Sequence, residues 1–450
     1  MKKRKVDICS DDAAVTLFKD LLRYKTVSHH APKNGQYAAC CEFLDQKCKE
    51  LIPEAKTETL EFVEGKPVLL VTVEGRDPSL PGILLNSHYD VVPAMDELWD
   101  VDPWDACEKD GKIYGRGTQD MKCVCAQYIL ALARIIHDEN TQLDRTVYLT
   151  FVPDEEIGGG DGMNMFIESK RFKEIRPKIG IAFDEGLAST TEQFTVFYGE
   201  RVPLWIVVTV NGPTGTSCYT LYSILIFPNN RHMYVGHGSR FIQDTAVEKL
   251  LGIANKAFEL RRAEEKLLGH TDNGCKHCEA KKLGEVTSLN LTMLQAGVSS
   301  DGGKTFALNV IPTQAKAGFD IRVPPSKPLP EIRAMLDEWT SENCMSWKFA
   351  APDPGLEHHV TAIDDSNPWW SAFTKASDSI GISIQPEIFP AGTDSRYLRQ
   401  CGIPAFGFSP MNNSPILLHE HNEYISKQVF LKGIEIYVGL FSRLAAADSV

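Results

Sequence analysis

Apolar, strand-like runs that stop abruptly at histidine or carboxylate residues most restrict how this 450-residue chain can fold. A run over 83–88 ends in His88-Tyr-Asp90, one over 146–152 leads into Asp154-Glu-Glu156, and one over 179–183 ends in Asp184-Glu185. Near-continuous apolar strands are the kind buried on both faces, in parallel sheets covered by helices. Helical spacing supplies the cover. Ala14, Leu17, Leu21 and Tyr24 share one face, Tyr37, Cys40, Cys41, Leu44, Cys48 and Leu51 share another, and 121–137 reads as a third helix. The alternation predicts an α/β domain with a mixed, mostly parallel sheet flanked by helices.

From about residue 201 the order changes. Strands over 203–210, 286–292, 313–322 and 346–350 are interleaved with helices over 244–265 and 331–342. This β-α-β-β-α-β order is the ferredoxin-like pattern of a small α+β domain. Helices and apolar strands resume near Asn367-Pro-Trp-Trp370. The chain therefore reads as a large domain in two parts, 1–200 and 356–450, with a small domain inserted over 201–355.

Composition narrows the partners. A formal net charge of −13, with scattered basic residues, argues against nucleic acid and favours a small-molecule substrate. The basic start lacks a following apolar core, so a secretory signal is not expected and the twelve cysteines should stay reduced. The grouping His270, Cys275, His277, Cys278 lacks a second ligand pair at finger spacing and is not expected to be a structural zinc site.

Ligands bind beyond the carboxyl ends of the strands in open α/β sheets. Three acid- or histidine-bearing strand ends converge there. They are joined by Asp120, just before a helix, and by His419-Glu-His421, after the apolar Ile416-Leu-Leu418. Any one of these segments could be a helix cap or a solvated loop; five together describe one site. Imidazole and carboxylate ligands without thiolates suit zinc, and a carboxylate bridging two ions about 3.5–4 Å apart is the usual two-metal arrangement. Three carboxylates, two neutral imidazoles and a bridging hydroxide balance two dications, whereas one ion would leave buried negative charge uncompensated. Asp90, two residues from His88 on one side of a strand, can orient that imidazole. Of the neighbours Glu155 and Glu156, one can ligate while the other faces the attacking water as general base.

The segments Leu84-Leu-Asn-Ser-His-Tyr-Asp-Val-Val-Pro93, Gly115-Arg-Gly-Thr-Gln-Asp-Met-Lys-Cys123 and Phe151-Val-Pro-Asp-Glu-Glu-Ile-Gly158 resemble the dizinc aminoacylase/carboxypeptidase family. So do Phe183-Asp-Glu-Gly186, Asp365-Ser-Asn-Pro-Trp-Trp370, and the stretch from Ser409-Pro-Met-Asn412 to Leu418-His-Glu-His421. The resemblance implies two zinc ions per subunit, with His88 and Glu185 on one, Glu156 and His419 on the other, and Asp120 between them. It makes Glu155 the general base and Asp90 the holder of His88. Arg396 and Asn309 become substrate contacts, the former for a carboxylate. The implied reaction is hydrolysis of N-acyl-L-amino acids, with dipeptidase, carboxypeptidase or acetylornithine-type deacylase as related readings. A cytoplasmic homodimer joined through the inserted domain is implied too, with His237 of one subunit stabilising the oxyanion in the other's site.

One stretch departs from the family. Excising 216–236 leaves Asn211-Gly-Pro-Thr-Gly followed by His237-Gly-Ser239, the family's short turn, so these 21 residues are an insertion. Their apolar part, 218–227, is far shorter than the roughly 18–20 residues that span a bilayer, and no membrane role is expected. Uncharged and β-prone, it is an aggregation liability. It reads as translated non-coding sequence rather than a partner site, and a catalytically impaired isoform is the corresponding expectation.

Overall fold

The computed structural model describes residues 10–137, 143–212, 236–268, 281–350, 355 and 357–446. It divides into two compact units, one running to Gly199 and resuming at His359, the other comprising Glu200–His358. The insertion, except Gly236, and the His270 to Cys278 grouping lie outside the described residues.

The larger unit is built on an eight-stranded mixed sheet. Its order is Lys56–Glu61, Pro67–Val73, Val147–Val152, Gly82–His88, Ile179–Asp184, Ala405–Gly407, Phe194–Glu200, Ile384–Phe389. The four middle strands, from Val147–Val152 to Ala405–Gly407, run parallel. Pro67–Val73 and Phe194–Glu200 run against them. Pro67–Val73, Gly82–His88 and Val147–Val152 are buried at every residue, as apolar strands covered on both faces must be. Lys56–Glu61 escaped the sequence reading because it is a polar edge with no buried residue, a composition that also discourages further strand pairing.

Helices Asp11–Leu22 and Gln36–Leu51 bury the faces their spacing predicts, and Ser10 caps the first by accepting from Ala13 N. Tyr24 lies past the end of that first helix, which stops at Leu22. Lys122–His137 is buried almost all round and packs on the C-terminal helix Lys427–Ala445. Stacked rings tie the C-terminal helix down: Phe430 lies 4.4 Å from Phe18, and within the helix Tyr437 lies 5.0 Å from Phe441.

The smaller unit is a four-stranded antiparallel sheet, ordered Ser288–Gln295, Gln314–Val323, Val202–Asn211, Met345–Phe349. Leu204, Ile206, Val208 and Val210 alternate inward against Leu250, Ile253 and Ala257 of Ala246–Glu265 and Ile332 and Leu336 of Leu329–Trp339. Thr245 and Glu248 form a capping box that starts the longer helix. The shorter helix was expected to reach residue 342. It ends at Trp339, where Thr340 leaves helical geometry at φ −112°, ψ 23° and its hydroxyl closes on the Leu336 carbonyl at 2.8 Å. A short ladder pairs Gly236–His237 with Val310–Ile311.

Candidate metal centre

The parallel pairing aligns three strand ends. His88 ends Gly82–His88, whose neighbours are Val147–Val152 on one side and Ile179–Asp184 on the other. Glu155 and Glu156 follow the first neighbour in a single 3₁₀ turn, and Glu185 follows the second. Asp120 stands two residues before helix Lys122–His137.

Asp120 stands between two histidines. Its Oδ1 lies 3.0 Å from His88 Nε2 and its Oδ2 3.2 Å from His419 Nε2. His88 Nε2 also has Glu185 Oε2 at 3.6 Å, and His419 Nε2 has Glu156 Oε2 at 2.9 Å. Through these contacts Asp120 links a pair formed by His88 and Glu185 to one formed by His419 and Glu156. Candidate ligand atoms of His88, Asp120 and Glu156 lie within 4.8 Å of one another, as do those of His88, Glu155 and Glu185.

Crowded carboxylates set the electrostatics. Burial, then the neighbouring Asp120, pushes Glu156 up to about 7. Burial, then Glu185, raises Glu155 well above the usual carboxylate range, and burial with Asp120 does the same to Glu185. His419 is pushed up to about 10 by its hydrogen bonds to Asp120 and Glu156. Burial opposes charge on His88, yet the bonds to Asp120, Asp90 and Glu185 outweigh it and raise its pKa. Asp120 is held well below its usual range, since its contacts with both histidines overcome burial. The cluster thus holds protons where cations would otherwise balance it. Divalent ions fit this donor set: imidazoles and carboxylates only, converging, with Glu156 Oε1 buried and without a hydrogen bond among the described residues.

The layer around the ligands is also ordered. The Asp90 carboxylate accepts the Glu155 and Glu156 backbone N–H groups at 3.1 and 3.2 Å and the Ser28 hydroxyl at 2.8 Å. Its Oδ1 is 3.4 Å from His88 Nδ1, whereas the Asp90 carbonyl oxygen is nearer, at 3.1 Å. Asp90 therefore holds the glutamate turn with its carboxylate and steadies His88 chiefly through its backbone. One layer down, Asn86 and Ser395 donate to Asp184, and Thr150 donates to Asn86. Tyr37 and Lys66 fix Asp154 at the start of the glutamate turn.

Arg396 lies against the far end of that turn. Its Nη2 donates to the Gly158 carbonyl at 2.8 Å, and the Tyr397 hydroxyl donates to the same oxygen at 2.7 Å. Asp394 beside them is fully buried, with neither carboxylate oxygen hydrogen-bonded among the described residues. His237 and Asn309 belong to the smaller unit, where Gly238 N donates to the Asn309 carbonyl at 2.8 Å and brings the two side by side. His237 is exposed, with Nδ1 2.8 Å from Ser239 Oγ.

Sequence reasoning missed Glu423, Gln119 and Asp394. Glu423 is only four residues beyond His419, but nothing local distinguishes a buried acid there from a solvated one.

A sheet with histidines and carboxylates caged at the carboxyl ends of its strands defines a class of α/β hydrolase suited to divalent ions. The chain belongs to the peptidase family M20/M25/M40, which matches residues 84–443. It is 46% identical to aminoacylase-1 of Dictyostelium discoideum, over 96% of this chain and 97% of that protein. It is 40% identical to aminoacylase-1 of Mus musculus, over 98% and 97%. Among solved structures it resembles an M20 family metallo-carboxypeptidase from Sulfolobus solfataricus, with a TM-score of 0.63 and 18% identity over 96% of this chain and 99% of that one. Among the described residues, no helix is long and apolar enough to cross a membrane.

Proposed function

We propose that the protein is a zinc-dependent amidohydrolase that cleaves N-acyl-L-amino acids to a carboxylate and a free L-amino acid. The observation that carries the reading is Asp120 between His88 and His419, with Glu185 and Glu156 on either side and Glu155 beside them. The aminoacylase-1 relatives, aligned over nearly the whole chain, support the substrate class. In this reading His88 and Glu185 would hold one ion and Glu156 and His419 the other, with Asp120 serving both.

Zinc there would supply Lewis acidity for the amide carbonyl and make water easier to deprotonate. Glu155 takes a proton from the attacking water on its carboxylate as the carbon–oxygen bond forms. It returns that proton to the departing nitrogen as the carbon–nitrogen bond breaks. Its place beside His88 and Glu185 suits a group that must hold a proton between the two steps. Arg396 pairs with the amino-acid carboxylate, for which a guanidinium is well shaped. A cytoplasmic homodimer completes the reading: the small units join, and the partner subunit's His237 stabilises the oxyanion, with Asn309 near the substrate.

Assay of N-acetyl-methionine hydrolysis tests this. Chelation should abolish turnover and added zinc restore it. Glu155→Gln should lower kcat by about 10²–10⁴-fold with ion content unchanged. Activity that survives chelation would sink the zinc assignment, and an unimpaired Glu155→Gln would sink the base.

A further inference from the structure

The loops carrying Asp120 and His419 are far apart in sequence yet bonded to each other in both directions. Glu423, with no exposed surface, gives both carboxylate oxygens to the first loop. Oε2 accepts from Arg116 Nη1 at 2.7 Å and Gly117 N at 3.1 Å; Oε1 accepts from Gln119 N at 2.6 Å and Thr118 Oγ1 at 3.2 Å. Gln119 answers from the first loop to the second. Its Nε2 donates to the Pro415 and Tyr424 carbonyls at 3.0 and 2.9 Å, and its Oε1 accepts from Leu417 N at 2.9 Å. Arg116 Nη2 also reaches the His419 carbonyl, at 3.4 Å.

We propose that this reciprocal clasp builds the His419 half of the metal centre, with Gln119 and Glu423 as positioning residues that touch neither ion. The inference rests on the two-ion reading above and deepens it. The halves differ in what holds them. His88 sits in the sheet ladder opposite Val152, and Glu185 directly follows a strand, so their backbones are fixed by the fold. His419 lies in a loop, at φ +63°, a left-handed conformation that non-glycine residues keep only when their surroundings impose it. The clasp is that surrounding: three Gln119 bonds land on residues 415, 417 and 424, bracketing His419, while Glu423 fixes the backbone up to the residue before Asp120.

Loss of the Gln119 side chain should therefore weaken one ion and spare the other. The test is stepwise zinc binding by competition with a chromophoric chelator, on the metal-stripped full chain. Gln119→Ala should weaken one of the two steps by about 10–100-fold, the usual effect of removing a partner that orients a ligand. Gln119→Met, which keeps the side-chain volume, should do the same if the alanine variant does not fold. In a His419→Ala background either change should add nothing to the loss already present, because the two act on one half-site. Two unchanged steps, or two steps weakened alike, would overturn the clasp. A parent chain that binds fewer than two ions would overturn the two-ion reading and the clasp with it, whereas a two-ion parent with an unaffected Gln119 variant overturns the clasp alone.

Discussion

The Asp90 carboxylate accepts the backbone N–H of Glu155 at 3.1 Å, so a residue two places beyond His88 fixes the turn bearing the proposed base. Asp90→Asn would put an N–H₂ against a backbone donor, either at Glu155 or at Glu156. Turnover of N-acetyl-methionine should fall about 10–100-fold. Zinc content should stay near that of the parent, because the nearer partner of His88 is the Asp90 carbonyl, which the substitution retains. Metal analysis beside kcat measurement checks this; loss of zinc with normal turnover per bound ion would show that the carboxylate serves His88 instead.

Arg396 and Tyr397 share the Gly158 carbonyl but should differ kinetically. Tyr397→Phe removes one neutral hydrogen bond, worth about 0.5–1.5 kcal/mol, so kcat should fall severalfold through a looser Glu155 turn while KM holds. Arg396→Lys would lose the proposed bidentate pairing with a substrate carboxylate, and KM should rise by about tenfold or more. Steady-state kinetics separate them. An unchanged KM in Arg396→Lys would confine Arg396 to the turn.

Much of this was legible in the sequence because strand ends write it locally. The runs before His88, Glu155 and Glu185 are mostly apolar, so a buried parallel sheet follows, and the residues just past such strands share one crevice. The buried face of Gln36–Leu51 was legible for a similar reason, since helical period marks it residue by residue. Contacts between distant segments were not. Arg116 and Glu423 are both charged residues in polar-looking loops, and only the fold makes them a buried pair at 2.7 Å. The bond from Arg396 to the Gly158 carbonyl was hidden in the same way, since 238 positions separate the two.

The metal-free protein should lose stability as pH rises. Glu156, raised from 4.5 to about 7 by burial and Asp120, and His419, raised from 6.5 to about 10 by Asp120 and Glu156, each hold a proton when folded that the unfolded chain releases earlier. Their stabilisation is complete below the unfolded values and lost as pH climbs through the folded ones. His419 is about half exposed, so solvent screening makes the Glu156 window, 4.5 to about 7, the steeper part. Thermal melts of the chelated protein should show Tm falling across that window, and zinc should flatten the slope by displacing the protons. A Tm that rises through the window would contradict the proton-holding cluster.

Deleting 216–236 should separate the two parts of the proposed site. The insertion ends immediately before His237, while His88, Asp120, Glu156, Glu185 and His419 all lie in the other unit. The deletion rejoins Asn211-Gly-Pro-Thr-Gly to His237-Gly-Ser239, the short turn of the family pattern. Zinc stoichiometry should be the same with and without these residues. Turnover and the dimer fraction should be higher without them, because the proposed His237 contact and the proposed joining of the small units both run through that turn, and light scattering with the N-acetyl-methionine assay reads both. Equal turnover in the two chains would mean that the inserted residues leave His237 in place, and that the chain as it stands is a working hydrolase.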